Sequence, residues 1–224
     1  MPDANALRAA RQRLETETGY GVASLPAART AAPATGRAGS KAERLAELQR
    51  RYKDCMSCAL GSRRTNLVFG SGDPDARLMF VGEAPGQDED EQGLPFVGAA
   101  GQLLTKIIEA MKLTRQSVYI ANTLKCRPPN NRAPLPEEQS ACSPILEAQI
   151  DIIQPRVICA LGKSAAQALL GTTEPIGRLR GRFHDRRGIK LMPTFHPAYL
   201  LRNPGDKKLV WQDCQTIMRE LGLL

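Results

Sequence analysis

Four short, mainly apolar runs punctuate the sequence, at Leu78–Val81, Val118–Ala121, Val157–Leu161 and Leu191–Phe195. Being short and continuous rather than alternating, they predict strands buried on both faces. Between them apolar residues recur at helical spacing over Ala99–Met111, Pro136–Ile153 and Ser164–Leu170, with a last such stretch at Asp206–Leu221. Strand and helix therefore alternate, which predicts an α/β fold with a parallel sheet and helices on both faces. In such sheets ligands gather beyond the carboxyl ends of the strands. The loops to inspect are Gly82–Gly98, Asn122–Cys126, Gly162–Lys163 and His196–Arg202.

The amino-terminal part reads differently. Residues 23–40, ASLPAARTAAPATGRAGS, hold seven Ala, two Pro and two Gly, no acid, and only Leu25 as a large apolar side chain. Such a segment buries no core and reads as a flexible linker. Leu7–Thr18 has the length of a short helix but lacks apolar periodicity. The expected organisation is a flexible Ala/Pro-rich extension over 1–40 and one folded domain over 41–224. That domain opens with an amphipathic helix in KAERLAELQRRYKDC. Arg8, Arg11 and Arg13 are not followed by an apolar core, so no secretory signal is expected. No apolar run approaches the roughly 20 residues of a membrane span. The expected compartment is the cytosol.

Charge adds a partner class. Thirty-one Lys and Arg against twenty-three Asp and Glu give a net charge of +8, which favours a polyanion. The imbalance is local: residues 174–208 carry nine bases, among them Arg178, Arg202 and Lys208, against three acids. Residues 83–91 carry five acids and no base. A basic run also serves as a plain solvated face.

Six cysteines in a reducing compartment are poor candidates for disulfides and better ones for metal ligands. Cys55 and Cys58 form a C-x2-C in KDCMSCALGSRR, Cys126 follows in LKCRPPNNR, and Cys142 comes after a Pro-rich loop. These four are expected on polar loops. Cys159 and Cys214 lie in apolar patterns and read as small buried hydrophobes. Four thiols so spaced suit either zinc or an iron–sulfur cluster.

One motif is a decoy. ALGKSAAQALL carries the Gly-Lys-Ser of a phosphate-binding loop, but the Gly required five places before Gly162 is Val157. Nucleotide hydrolysis is not expected; Gly162 reads as a tight turn and Ser164 as a helix cap. The other loops carry chemistry. In GEAPGQDEDEQGLPFVGAAGQLL, Gly82, Pro85 and Gly86 let backbone approach a ligand, Glu83 stands at a strand end, and Phe96 precedes a helix. Asn122 ends the second strand with a side chain that donates and accepts at once. His196 ends the fourth, followed by Tyr199, Leu200 and Leu201 as a Pro-stiffened apolar finger and by Arg202. Each also has an ordinary use: Phe96 as core, Asn122 as a turn former, His196 as a satisfied histidine, Glu83 as a helix-cap partner. His184 has no motif partner and reads as structural or phosphate-facing.

Taken in order, GE-x-PG…PFVG-x-AG-x-LL, Asn122 before KCRPPNNR, the four cysteines and HPAYLLR closely resemble the family 4, iron–sulfur uracil-DNA glycosylases over about residues 41–224. The resemblance implies a three-layer α/β/α sandwich with a four-stranded parallel sheet. It also implies removal of uracil from DNA and a [4Fe–4S] cluster on Cys55, Cys58, Cys126 and Cys142. Family 1 enzymes have an Asp one place after Glu83; here that place is Ala84, so the water-activating role passes to Glu83 or Glu89. The expected base pocket comprises Ala84, Gly86, Phe96 and Asn122, with His196 as donor to uracil O2. Leu200, Leu201 and Arg202 are expected at the DNA, filling the gap left by a flipped nucleotide. The expected partner is uracil-containing DNA, single- or double-stranded, acted on by a monomer. Two other readings stand beside this one: a non-catalytic four-cysteine zinc module for nucleic acid, and a superfamily member excising another deaminated base.

Overall fold

A computed structural model describes residues 39–224. The expected extension over 1–40 and the helix over Leu7–Thr18 fall almost wholly outside the described residues. Within them the chain runs through α1 (Lys41–Tyr52), β1 (Ser71–Gly72), β2 (Leu78–Gly82), α2 (Gln87–Gln92), α3 (Ala99–Ala110) and β3 (Tyr119–Asn122). It continues through α4 (Pro136–Ile153), β4 (Val157–Leu161), α5 (Lys163–Leu170), α6 (Ile176–Leu179), β5 (His184–Arg186), β6 (Ile189–Thr194), α7 (Pro197–Arg202) and α8 (Lys207–Leu221). Helix α1 begins where the amphipathic pattern begins because Ser40 caps it: its hydroxyl accepts the Glu43 N–H at 3.2 Å, and the Glu43 carboxylate accepts the Ser40 N–H at 2.7 Å.

The sheet has six strands in the order β1-β3-β2-β4-β6-β5. The expectation of four parallel strands is corrected to a mixed sheet. β3, β2, β4 and β6 pair in parallel, while β1 and β5 add antiparallel edges. The edges escaped the sequence reading because β1 is two residues long and β5, His-Asp-Arg, has no apolar run.

Alternation within the buried strands sorts the core into two halves. Met79 and Val81, with Ile158 and Ala160, share one cluster with Leu45 of α1, Ile145 and Ile150 of α4, and Ala165 of α5. Leu78, Phe80, Cys159 and Leu161 share the other with Leu104 and Ile108 of α3 and Val210 and Ile217 of α8. Helices thus cover both faces, and the carboxyl ends of the parallel strands remain as the rim on which a site can be built.

The turn from β4 to α5 is the decoy glycine. Gly162 has φ +90°, a conformation that favours glycine, and a Cβ there would lie 3.0 Å from the Cβ of His196. Gly162, not Ser164, is the N-cap of α5, and no side chain caps that helix. The tight turn was expected and the serine cap is a correction.

Candidate active site and cysteine centre

A cleft of about 1040 Å³ opens at the carboxyl ends of the parallel strands. It gathers Glu83, Ala84, Gly86, Glu89, Phe96 and Asn122 from the β2 and β3 ends. From the β6 end come His196 and Arg202. Leu200 and Leu201 are not among its lining residues.

Asn122, the last residue of β3, is buried, and its Oδ1 is the one buried side-chain polar atom without a hydrogen-bond partner among the described residues. A buried acceptor left unpaired costs about 1–3 kcal/mol, so its retention points to a partner that arrives from outside. Beside it Gly82 has no room for a side chain: a Cβ would lie 2.5 Å from Asn122 Oδ1 and would collide with the Phe96 ring.

Phe96 is held from every side. Its φ is +54°, a left-handed conformation costly for a bulky residue. On the following side Glu89 Oε1 accepts the N–H groups of Val97 at 2.8 Å and Gly98 at 2.9 Å, and Oε2 accepts Gly86 N–H at 3.0 Å. On the preceding side Arg115 donates to the carbonyls of Pro95 at 2.7 Å and Phe96 at 3.0 Å. A Cβ at Gly101 would overlap the Phe96 carbonyl, so α3 packs directly on the loop. The ring lies 5.7 Å from the His196 ring, centre to centre. Phe96 is thus a buried, fixed wall rather than a side chain displayed on a loop.

The two candidate carboxylates separate on this geometry. Glu89 spends both oxygens on three main-chain N–H groups and acts as a staple. Glu83 lines the cleft with no hydrogen bond to its carboxylate among the described residues, and only its main-chain oxygen is engaged, by Leu124 N–H at 3.0 Å and the Thr123 hydroxyl at 2.5 Å. Asp88, which the sequence reading passed over within the acidic run, lines the same cleft.

His196 caps α7, its Nδ1 accepting the Ala198 N–H at 3.1 Å. That bond places the proton of the neutral ring on Nε2, leaving a donor for the cleft. Burial, helped by Arg202 and opposed by Glu89, lowers its pKa from 6.5 to about 4. The ring is neutral at physiological pH.

The apolar finger needs correction. HPAYLLR forms α7, and the helical turn sends Leu200 inward, 1% exposed, into the core with Phe96 and Leu104, while Leu201 is 49% exposed. Leu201 and Arg202 remain exposed, and Tyr199 and Arg202 line the cleft. Tyr199 donates its hydroxyl to Asp206 at 2.7 Å. His184 is structural, its Nε2 lying 2.8 Å from the Leu179 carbonyl.

Cys55, Cys58, Cys126 and Cys142 line a second, small cavity, while Cys159 and Cys214 are buried elsewhere in the core. The expectation of four polar loops holds for the C-x2-C pair only in part: Cys142 lies within α4, and Cys126 and Cys142 are buried. Burial raises the Cys126 thiol to about 11 and raises Cys142 as well. N–H groups already point at the sulfurs, Arg64 at Cys126 Sγ from 3.6 Å and the Lys125 main chain at Cys142 Sγ from 3.3 Å. Four thiols line one cavity and two of them receive N–H donors of the kind that stabilise thiolates, a donor set whose chemistry suits a thiolate-bound metal, although among the described residues no group of three or more His, Cys, Asp or Glu is arranged to hold an ion. Lys125 also lines this cavity and is fully buried, and burial lowers its pKa to about 8 against the raising effect of Cys142. The sequence reading missed Lys125 and Arg115; a lysine beside a candidate ligand cysteine was the only signal for the first.

Comparison with known proteins supplies a family. The family model described as the Uracil DNA glycosylase superfamily matches residues 69–215. The chain is 49% identical over 169 residues to a type-4 uracil-DNA glycosylase of Thermotoga maritima, covering 74% of this chain and 88% of that protein. It is 44% identical over 188 residues to the type-4 uracil-DNA glycosylase of Sulfurisphaera tokodaii, covering 80% and 85% of the two chains. A third, from Saccharolobus solfataricus, is 43% identical over 179 residues, with coverage of 76% and 83%.

Proposed function

The chain belongs to the type-4 branch of the uracil DNA glycosylase superfamily, and from that premise we propose that it hydrolyses the N-glycosidic bond of uracil in DNA and leaves an abasic site. The observation that carries the reading is the unpaired Oδ1 of Asn122 at the cleft. Uracil offers an N3–H to that acceptor and an O4 to the amide N–H2, whereas cytosine presents the opposite pattern.

The chemistry follows from the neighbours. A base inside a duplex is out of reach, so the nucleotide turns out into the cleft and stacks against Phe96, a contact worth about 1–3 kcal/mol. As the bond from the sugar C1′ to N1 breaks, its electron pair moves onto the uracil ring and O2. The Nε2–H of neutral His196 donates there, a preorganised bond typically worth about 3–4 kcal/mol. The Glu83 carboxylate offsets positive charge on the sugar and takes the proton of the water that adds to C1′. Glu89 serves as a positioning residue, since its oxygens are committed to the loop that carries Phe96. Ala84 and Gly86 form pocket floor, and Leu201 and Arg202 approach the DNA.

Cys55, Cys58, Cys126 and Cys142 would hold a [4Fe–4S] cluster. Bound by those residues, it would supply a structural cross-link among the C-x2-C loop, the β3 exit and α4. The substrate is uracil-containing DNA, the active species is a monomer, and residues 41–224 form the catalytic domain behind an extension over 1–40. No helix among the described residues is long and apolar enough to cross a membrane, and a cytosolic enzyme is the compartment we propose.

The test is incubation with a uracil-containing oligonucleotide followed by alkaline cleavage at the abasic site. An uncleaved strand rejects the function. Protein purified anaerobically should be brown; a colourless protein containing zinc rejects the cluster.

A further inference from the structure

Lys125 is the one lysine with no exposure among the described residues, and it lies between the two sites described above. Its main-chain N–H points at Cys142 Sγ from 3.3 Å, and the residue lines the cysteine cavity. Its Nζ donates to the main-chain carbonyl of Asn122 at 2.8 Å and to Oε1 of Gln149 at 2.6 Å. Gln149 is itself buried and directs its amide to the Phe69 carbonyl at 2.9 Å and the Tyr119 hydroxyl at 3.3 Å, which turns its oxygen toward the ammonium. Both acceptors are neutral. No carboxylate among the described residues pairs with this charge.

A buried ammonium without a counter-charge is among the costliest arrangements in a protein interior. The cavity that Lys125 lines also holds four thiols, each a thiolate when it binds a metal. Four thiolates around a core of two positive charges make a dianion, whether the core is a zinc ion or an oxidised four-iron cluster. That dianion would compensate Lys125, and Lys125 would in turn offset the charge concentrated on the sulfurs.

The same ammonium also reaches the base pocket. Asn122 carries the unpaired Oδ1 of the base pocket, and its carbonyl is where Lys125 attaches. Asn122 closes β3, with its N–H side fixed by the strand and its carbonyl side fixed by the lysine. We propose that Lys125 is the counter-charge of the metal–thiolate centre and a positioning residue that ties that centre to Asn122. The inference rests on the reading of the four cysteines as a metal site and of Asn122 as the base reader.

Two variants separate the two roles. Lys125→Met removes charge and hydrogen bonds; Lys125→Gln removes the charge and keeps an amide donor for the Asn122 carbonyl. Both should lose metal to a chelator about tenfold faster than the unaltered protein, read by metal content and visible absorbance. Single-turnover uracil excision at equal metal loading should fall about tenfold in Lys125→Met and less in Lys125→Gln. In an Asn122→Ala background the same substitutions should cost no further excision, because the group they position is gone. Metal loss at the unaltered rate overturns the counter-charge. A full additional loss of excision in the Asn122→Ala background overturns the tie.

If neither variant folds, hydrogen exchange in the unaltered protein reads the same link. Chelating the metal should speed exchange at residues 122–125, and unchanged exchange overturns it. Metal content identifies the centre and unaltered-protein excision tests the function, so failure of either earlier reading is visible apart from the Lys125 arms.

Discussion

The Nδ1 atom of His196 accepts the main-chain N–H of Ala198 at 3.1 Å, so the neutral ring carries its proton on the opposite nitrogen. A pKa lowered to about 4, chiefly by burial, keeps the ring in that form over the working range. His196→Ala should slow single-turnover excision by about 10²–10³ with DNA binding largely intact. The ratio of unaltered to variant rate should stay flat from about pH 8 to pH 5 and shrink only toward pH 4. A ratio that climbs on acidification with a midpoint near 6.5 would mean that the imidazolium, not the imidazole, is the donor. Stability moves with the same shift. Because the unfolded ring binds a proton at 6.5 and the folded ring only near 4, the contribution of His196 to stability is lost as pH falls across that interval.

Arg115 should behave as a residue of the base pocket although it lies outside the cleft lining. With Glu89 it fixes the left-handed Phe96 from both sides, through the Pro95 and Phe96 carbonyls and the Val97 and Gly98 amides. Arg115→Met should let the loop relax and lower excision about tenfold, with faster amide exchange at Val97 and Gly98. Arg115→Lys, keeping one donor, should recover part of the loss. Equal losses for the two variants without any change in exchange would deny the clamp.

Behind the β6 end, Arg180 pairs with the fully buried Asp213 at 2.6 Å, and Asp213 accepts the Thr194 hydroxyl at 2.6 Å. The guanidinium also lies over the Phe195 ring, one residue before His196. Breaking a buried pair strands the remaining charge, so Asp213→Ala should cost about 3 kcal/mol of unfolding free energy. Denaturant melts at equal metal loading measure it. A cost under about 1 kcal/mol would place this pair with ordinary surface ion pairs.

Ser substitutions at Cys55, Cys58, Cys126 or Cys142 should lower metal content and soluble yield, whereas Cys159→Ser and Cys214→Ser should keep the metal. Cys159 and Cys214 lie in the core half packed between the sheet and α8, away from the four-cysteine cavity. Full iron in Cys126→Ser would remove it from the ligand set.

The parts of this molecule that were legible in the sequence are those in which local pattern and tertiary role coincide. Val157–Leu161 and Pro136–Ile153 match strand and helix end to end, because a continuous apolar run and an amphipathic stretch are each buried in the way their periodicity implies. The short elements were lost for the opposite reason. β5 is polar and forms because β6 offers it a free edge, and α7 hides its periodicity within six residues. Leu200 and Leu201 show the cost: adjacent in sequence and alike in chemistry, they part only when the helix turn assigns one to the core. The cleft residues were legible because they stand at strand ends beside glycines. Arg115 and Lys125 were not, since each acts through main-chain carbonyls that no side-chain motif records.

Asn122 gives the sharpest test of recognition. Its Oδ1 has no partner among the described residues and occupies space beside the Phe96 ring that a Cβ at Gly82 would take, so what it meets in the cleft decides which base is accepted. Asn122→Asp keeps the shape and replaces the amide donor with oxygen. Ionised, that carboxylate accepts from N3–H but repels O4, and uracil excision should fall about tenfold to a hundredfold. Protonated, it offers one donor and one acceptor, and in its buried position beside the Phe96 ring the neutral acid is favoured more than it is in water. In that form it can face the N3 and exocyclic amine of cytosine, so cytosine excision should appear in the variant and grow as pH falls. Single-turnover rates on uracil- and cytosine-containing oligonucleotides at several pH values measure both effects. Unchanged uracil rates in Asn122→Asp would show that base recognition lies with other residues of the cleft, and a uracil loss with no cytosine activity at any pH would show that shape rather than hydrogen-bond pattern excludes cytosine.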